Sequence, residues 1–201
     1  KIVKEIPHAT LHVAGYDVGA AMHLIPPQMQ QHYEDLNNLM KTLPWVKQLG
    51  SLTKDELYGE IATSELLVYP TDFPEISCIT AMEAQGLGTP IITSDEYALK
   101  ETVGPKNCLV TRGDHYPARF AQRVTGLLSD KKSYERARQH GMEWVKANYR
   151  WEKIAAEWVD LFYQKFEERW NENKPAIARQ LMYHSDYILA RELAENEGLT
   201  E

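Results

Sequence analysis

Short apolar runs alternate with amphipathic stretches along most of the chain. Runs of strand type fall at 10–14, 45–49, 65–69, 90–94 and 108–111, and each is followed by a helical pattern. That alternation predicts parallel pairing with helices on both faces, an α/β doubly wound parallel sheet. Ligands of such sheets sit at the carboxyl ends of the strands. A helix is predicted over 28–43, after Pro26-Pro27, with Met29, Tyr33, Leu36, Leu39 and Met40 at helical spacing as a stripe for the core. From Tyr116 to about Trp170 the pattern is almost entirely helical, broken near Asp130-Lys131 and Asn148-Tyr149. Leu127, Trp144, Trp158, Leu161 and Phe162 are expected to pack these helices together.

The tail follows a different pattern. Pro175 is expected to separate a charged stretch from a second amphipathic segment, Ile177 to Leu193, with Leu181, Tyr187, Ile188 and Leu189 on its apolar face. The expected organisation is therefore one α/β domain over 1–165 and a helical extension over 166–201. The first residues, Lys1-Ile-Val-Lys-Glu-Ile-Pro7, read as the end of a helix already under way, which points to the second half of a longer protein.

The most informative chemistry lies between the third and fourth apolar runs, in Tyr69-Pro-Thr-Asp-Phe-Pro-Glu75-Ile-Ser-Cys-Ile-Thr-Ala-Met-Glu83-Ala-Gln-Gly-Leu-Gly-Thr-Pro90. Pro70, Asp72 and Pro74 turn the chain after the strand, a helix is predicted from about Ser77 to Gln85, and Gly86 and Gly88 stop it. Unpaired backbone N–H groups near Cys78, Ile79 and Thr80 would seat a diphosphate with no cation in that turn. Two glutamates eight positions apart on one helix would point in different directions, so a shared ligand requires Glu75 to lie in the loop. Glu75 could then accept hydrogen bonds from hydroxyls on one side of the diphosphate, and Glu83 could grip a vicinal diol such as a ribose on the other. Spacing alone is weak evidence, because Glu135 and Glu143 share it in what reads as a solvated helix face.

These residues resemble the motif of two glutamates separated by seven residues in retaining glycosyltransferases of the two-Rossmann-domain GT-B fold, particularly family four. Ala9-Thr-Leu-His-Val-Ala-Gly15, Val46-Lys-Gln-Leu-Gly50 with the following Leu57 to Ile61, and Tyr149-Arg-Trp151-Glu-Lys-Ile-Ala are similar to further family elements in the family's order. The resemblance implies a Rossmann-like C-terminal half of a GT-B enzyme that binds a nucleoside diphosphate sugar, UDP- or GDP-linked. Transfer would retain the anomeric configuration, in the manner of a hexosyltransferase, to an acceptor held by a Rossmann domain N-terminal to Lys1. It further implies that Glu75 takes the catalytic position and that Glu75, Ile76, Ser77, Cys78, Ile79, Thr80 and Glu83 line the donor. Gly15, in the turn Gly15-Tyr-Asp17, would approach the donor, and the base would sit by Lys47, Gln48 and Gly50, held largely through backbone groups. An arginine and a lysine for the phosphates would precede Lys1, no metal or other cofactor is implied, and this chain alone is expected to be inactive. Cys78 and Ser77 depart from the family, where many members carry a glycine and a bulky aromatic, so a side chain narrows the space beside the diphosphate. A sugar-nucleotide epimerase of the same architecture, or a noncatalytic partner-binding scaffold, would share this half.

Composition narrows the partners. The chain of 201 residues is 43% hydrophobic and 25% charged, ordinary for a globular protein with a real core. A formal charge of −7 argues against nucleic acid and against a broad basic surface for anionic membranes. Two cysteines, Cys78 and Cys108, form no disulfide framework, which favours a cytoplasmic setting, with any membrane attachment assigned to the N-terminal domain. The seven histidines show no metal-ligand spacing, and no nucleophile elbow is present. Cys78 has one competing reading: a thiol at a helix start can have a lowered pKa and act as a nucleophile, but it has no evident base.

Overall fold

The computed structural model describes residues 1–15 and 25–183, which fall into two compact units, Lys1–Tyr149 and Arg150 onward. In the first unit the order is α1 (Ile2–Glu5), β1 (Leu11–Ala14), α2 (Pro27–Thr42), β2 (Val46–Gly50), α3 (Lys54–Thr63), β3 (Leu67–Tyr69), α4 (Ile79–Gly86), β4 (Ile91–Ser94), α5 (Leu99–Thr102), β5 (Leu109–Val110), α6 (Tyr116–Ser129) and α7 (Lys131–Asn148). The second unit is one long helix, α8 (Trp151–Tyr183). It runs without a break through residue 165 and through Pro175, so the separation expected at that proline is not seen. Tyr16, Asp17, Tyr187, Ile188 and Leu189 lie outside the described residues.

Among the described residues every strand pairing is parallel, as the alternation of strand and helix predicts. The strands form two sheets, β1-β2 and β3-β4-β5, where the apolar runs predict one. The strands also differ in burial. β4 is buried at all four positions, the state of a parallel strand covered on both faces, whereas β1 alternates half-buried Leu11 and Val13 with exposed His12 and Ala14.

The core lies around β4, where Ile91, Ile92, Leu99, Val103 and Cys108 are all at most 1% exposed. Phe120, Val124 and Leu127 of α6 close it from one side. The polar members of β4 are also buried, and their hydroxyls are satisfied. Thr93 donates to the Tyr69 carbonyl at 2.7 Å, and Ser94 donates to the Thr71 carbonyl. Both bonds hold the chain just past the end of β3, where the Glu75 loop begins.

Gln85 is a further buried polar residue, 1% exposed. Its amide donates to the carbonyls of Ala81 at 2.8 Å and Thr102 at 3.1 Å, and its carbonyl accepts from the Gly104 N–H at 3.1 Å. One side chain thus ties α4 to α5 and to the turn that follows. α7 is tied down by Tyr134, which donates to the Glu65 carbonyl at 2.8 Å, and by Arg138, which donates to the Gly88 carbonyl at 3.2 Å.

Two packing expectations are corrected. Of the α2 stripe only Met40 is half-buried: Met29, Tyr33, Leu36 and Leu39 are exposed, and the helix is joined to β2 through half-buried Asn37, which accepts from Gln48. Leu127 is buried and Trp144 half-buried as expected, but Trp158, Leu161 and Phe162 are exposed, with the Trp158 and Phe162 rings edge to face on α8.

Candidate functional site

The segment from Tyr69 to Glu83 follows the carboxyl end of β3. The chain leaves the strand at Tyr69, turns through Pro70 to Pro74, and enters α4 only at Ile79, so Glu75 stands in the loop and Glu83 on the helix. Glu135 and Glu143, at the same spacing, both lie on α7, beside Arg138 and Gln139 respectively. Secondary structure, and not spacing, separates the two pairs.

Glu75 is half-buried and anchored at three atoms. Its carboxylate accepts from the Tyr69 hydroxyl at 2.6 Å, its N–H donates to the Phe73 carbonyl at 2.8 Å, and its carbonyl accepts from the Ala98 N–H at 3.2 Å. The last bond joins it to the loop after β4, in which Tyr97 has a left-handed φ of 47°. Burial, and then the Glu75 carboxylate, push the Tyr69 hydroxyl above its ordinary pKa, so it remains a neutral donor. Ile76 beside it is 94% exposed, and Phe73, Ile79 and Tyr97 are exposed as well.

The start of α4 is open. Cys78 occupies the cap position without a side-chain hydrogen bond, and among the described residues the N–H groups of Ile79 and Thr80 find no acceptor. No lysine, arginine or acidic residue lies in that first turn. Ser77 is exposed and Cys78 is buried. Burial raises the Cys78 thiol pKa, and the neighbouring Glu75 charge adds to the rise. This argues against the nucleophile reading, because a thiol needs the opposite shift to react as a thiolate at neutral pH.

Glu83 is engaged from α3. Its Oε1 accepts from Lys54 Nζ at 2.5 Å and from the Tyr58 hydroxyl at 2.9 Å, and its side chain is only 16% exposed. Sequence reasoning did not single out Lys54 or Tyr58, although a lysine at the first helical position, inside the cap Thr53-x-x-Glu56, with a tyrosine one turn on, marks a face with a fixed direction.

Gly15 and Gln48 belong to the other sheet. Gly15 donates its N–H to the Gly50 carbonyl at 3.0 Å, with open space where a side chain would stand, and Gln48 donates to Asn37 at 3.0 Å. Among the described residues, no hydrogen bond joins either of them to the segment from Glu75 to Glu83. One link between the sheets runs from Gly50 into α3 and through Lys54 to Glu83. Among the described residues, no cluster of three or more His, Cys, Asp or Glu side chains is placed to share a metal ion. No described helix is long and apolar enough to cross a membrane.

Parallel β-α units with a strand, loop and open helix start flanked by two carboxylates define the class: this is the α/β fold of the GT-B glycosyltransferases, corresponding to their C-terminal domain. The chain belongs to the family described as glycosyl transferases group 1, whose profile matches residues 1–130. Among curated proteins it is similar to spore coat protein SA of Bacillus subtilis (strain 168), at 25% identity over 145 residues, covering 64% of this chain and 36% of that protein. Among solved structures it is similar to the sucrose-phosphate synthase of Thermosynechococcus elongatus, with a TM-score of 0.66 and 25% identity over 83% of this chain and 41% of that one. The pneumococcal O-GlcNAc transferase GtfA, solved with UDP and GlcNAc, shares the fold at a TM-score of 0.56 and 18% identity, over 81% of this chain and 31% of that one. The chain thus spans less than half the length of each of these proteins.

Proposed function

We propose that this chain binds a nucleoside diphosphate sugar and acts as the donor half of a retaining hexosyltransferase, with residues 1–165 as the donor domain. The observation that carries the reading is the placement of Glu75 in the loop and Glu83 on the helix, on either side of the open N–H groups of Ile79 and Thr80. The diphosphate sits on those N–H groups, next to Ser77 and Cys78, and Ile76 lies along the donor. Glu75, fixed by Tyr69, takes hydroxyls of the sugar, and Glu83 takes the ribose. Gly15 and Gln48 lie towards the nucleotide from the other sheet.

As the bond from anomeric carbon to phosphate oxygen breaks, negative charge grows on the leaving diphosphate. Preoriented N–H groups stabilise that charge more than they stabilise the bound donor, which is the condition for lowering the barrier. No metal enters this reading: the remaining phosphate charge is met by an arginine and a lysine at the start of the donor domain, ahead of Lys1, and an N-terminal Rossmann domain holds the acceptor, a glycan, a lipid-linked sugar or a protein. The chain alone is inactive in transfer, and its setting is cytoplasmic.

The experiment is an NMR titration of the isotopically labelled chain with UDP, GDP and ADP. Amide shifts concentrated from Ser77 to Glu83, and lost in Glu83→Ala, are expected for at least one nucleotide. Shifts elsewhere with this segment silent would overturn the assignment of the site.

A further inference from the structure

Glu83 is held in one orientation by a helix whose own start is fixed. Thr53 and Glu56 form a reciprocal cap: the Glu56 carboxylate accepts from the Thr53 N–H at 2.8 Å and from its hydroxyl at 2.7 Å, and the Thr53 hydroxyl faces the Glu56 N–H. The cap sets the first turn of α3. Lys54 is the first residue of that helix and Tyr58 stands one turn further on, so both project from the same face. At its other end the helix is tied to its surroundings by Thr89, which donates to the Ile61 carbonyl at 2.7 Å, and by a hydrogen bond between the Glu60 carboxylate and His12 of β1.

Lys54 and Tyr58 converge on one oxygen. Both donate to Oε1 of Glu83, and the Lys54 ammonium also lies over the Tyr58 ring, 5.0 Å from its centroid. Among the described residues, Oε2 of Glu83 accepts no hydrogen bond. An exposed ion pair contributes little to stability because salt screens it and two long side chains must be ordered. Here the carboxylate is mostly covered, and a tyrosine shares the oxygen, so the arrangement fixes direction more than it adds stability.

We propose that Lys54 and Tyr58 are positioning residues for a vicinal diol: they fix Glu83 by Oε1, present Oε2 to a hydroxyl proton, and leave Lys54 N–H bonds to donate to the diol oxygens. A diol matches this set because each hydroxyl both donates and accepts, whereas a 2′-deoxyribose would leave one of these groups unpaired. The inference rests on the donor reading above and goes beyond it, because it assigns discrimination between ribose and deoxyribose to α3. The hydrogen bond from Lys54 to Glu83 raises the amine above its ordinary pKa, which keeps it a donor at neutral pH.

The test is a calorimetric titration of the 201-residue chain with UDP and 2′-deoxyUDP, and with the corresponding guanosine pair. The wild type is expected to prefer the ribonucleotide by about tenfold, the ratio set by one unpaired polar group. Lys54→Met and Tyr58→Phe should each bring the ratio below about threefold by weakening the ribonucleotide more than the deoxynucleotide. A merely structural role would weaken both nucleotides together, and that result, or an unchanged ratio, overturns the inference. Binding of neither nucleotide by the wild type overturns the donor reading and the diol assignment with it, whereas binding with no change in ratio overturns the diol assignment alone. Without any ligand, Glu83→Gln should bring the Lys54 amine pKa, followed by NMR of its terminal methylene, down toward the ordinary lysine value; no change would overturn the pairing.

Discussion

Gly104→Ala tests the contact between α7 and the turn after α5. An ideal Cβ at Gly104 would stand 2.5 Å from both Cβ and Cγ of Trp144, and 3.1 Å from its Cδ1. Carbon atoms in ordinary contact are about 3.5–4.0 Å apart, so the overlap is about 1 Å or more. A change of rotamer cannot move the Trp144 Cβ, and the indole is further held by its hydrogen bond to the Glu101 carbonyl at 3.2 Å. The backbone must therefore shift, at a cost of about 1–3 kcal/mol for overpacking. The same shift strains the bond from the Gly104 N–H to buried Gln85, worth about 1 kcal/mol. Reduced freedom of the unfolded chain returns about 0.4–1 kcal/mol. The net expectation is a loss of about 2 kcal/mol, seen in urea unfolding, and a fall in Tm of about 4–8 °C for a chain of this size. Gly126→Ala is the control: it is an exposed helical glycine with open space around it, and should stabilise by about 0.5–1 kcal/mol. In a Trp144→Gly background, which removes the Cβ as well as the indole, the Gly104→Ala penalty should nearly vanish. A neutral Gly104→Ala, or an undiminished penalty in that background, would refute the steric argument.

Two further predictions concern titrating groups. Burial pushes the Cys108 thiol up to about 11 and also raises Cys78, so both should react slowly with a thiol reagent at neutral pH until the chain is unfolded; rapid native reaction at Cys78 would restore its nucleophile reading. Asp130 caps α7, accepting from the Ser133 hydroxyl at 2.6 Å and from the Lys132 and Ser133 N–H groups at 3.0 and 3.1 Å, and these bonds lower its pKa. Its folded value lies below its unfolded one, so its stabilisation is present above the unfolded pKa and lost as pH falls through the folded value. Asp130→Asn, which keeps a capping side chain, should show a smaller loss of urea stability on acidification; an identical acid profile would refute that assignment.

Much of the fold was legible in the sequence because parallel strands buried on both faces leave a strong signal. Pro90-Ile-Ile-Thr announces β4, and the structure buries Ile91, Ile92 and Thr93 almost completely. The breaks at Asp130 and Tyr149 were equally plain, the first because an aspartate cap has a specific partner set. What misled was helical spacing taken as burial. Met29, Tyr33 and Leu36 recur with the right period, yet period fixes only that residues share a face, and half-buried Asn37, outside that stripe, joins the helix to β2 through Gln48. The division into two sheets was also hidden, because β1 reads as a strand whether its neighbour is β2 alone or β3 as well.

The candidate site was legible at Glu75 and Glu83 for a local reason: prolines, strand and helix start are neighbours in the chain, so their geometry follows from order alone. Lys54 and Tyr58 were not legible as part of it, because 29 and 25 positions separate them from Glu83 and only the packing of α3 against α4 brings them together. The same distinction applies to Cys78. Its place at a helix start argued for a lowered pKa, but its burial depends on the core around β4, and burial outweighs the helix terminus in setting the direction of the shift. Local sequence thus placed Glu75 in the loop and Glu83 on the helix, while the groups that orient Glu83 and bury Cys78 come from elsewhere in the chain. In the reading proposed here, ribose discrimination should therefore change with substitutions in α3 that leave the Glu75–Glu83 segment itself untouched.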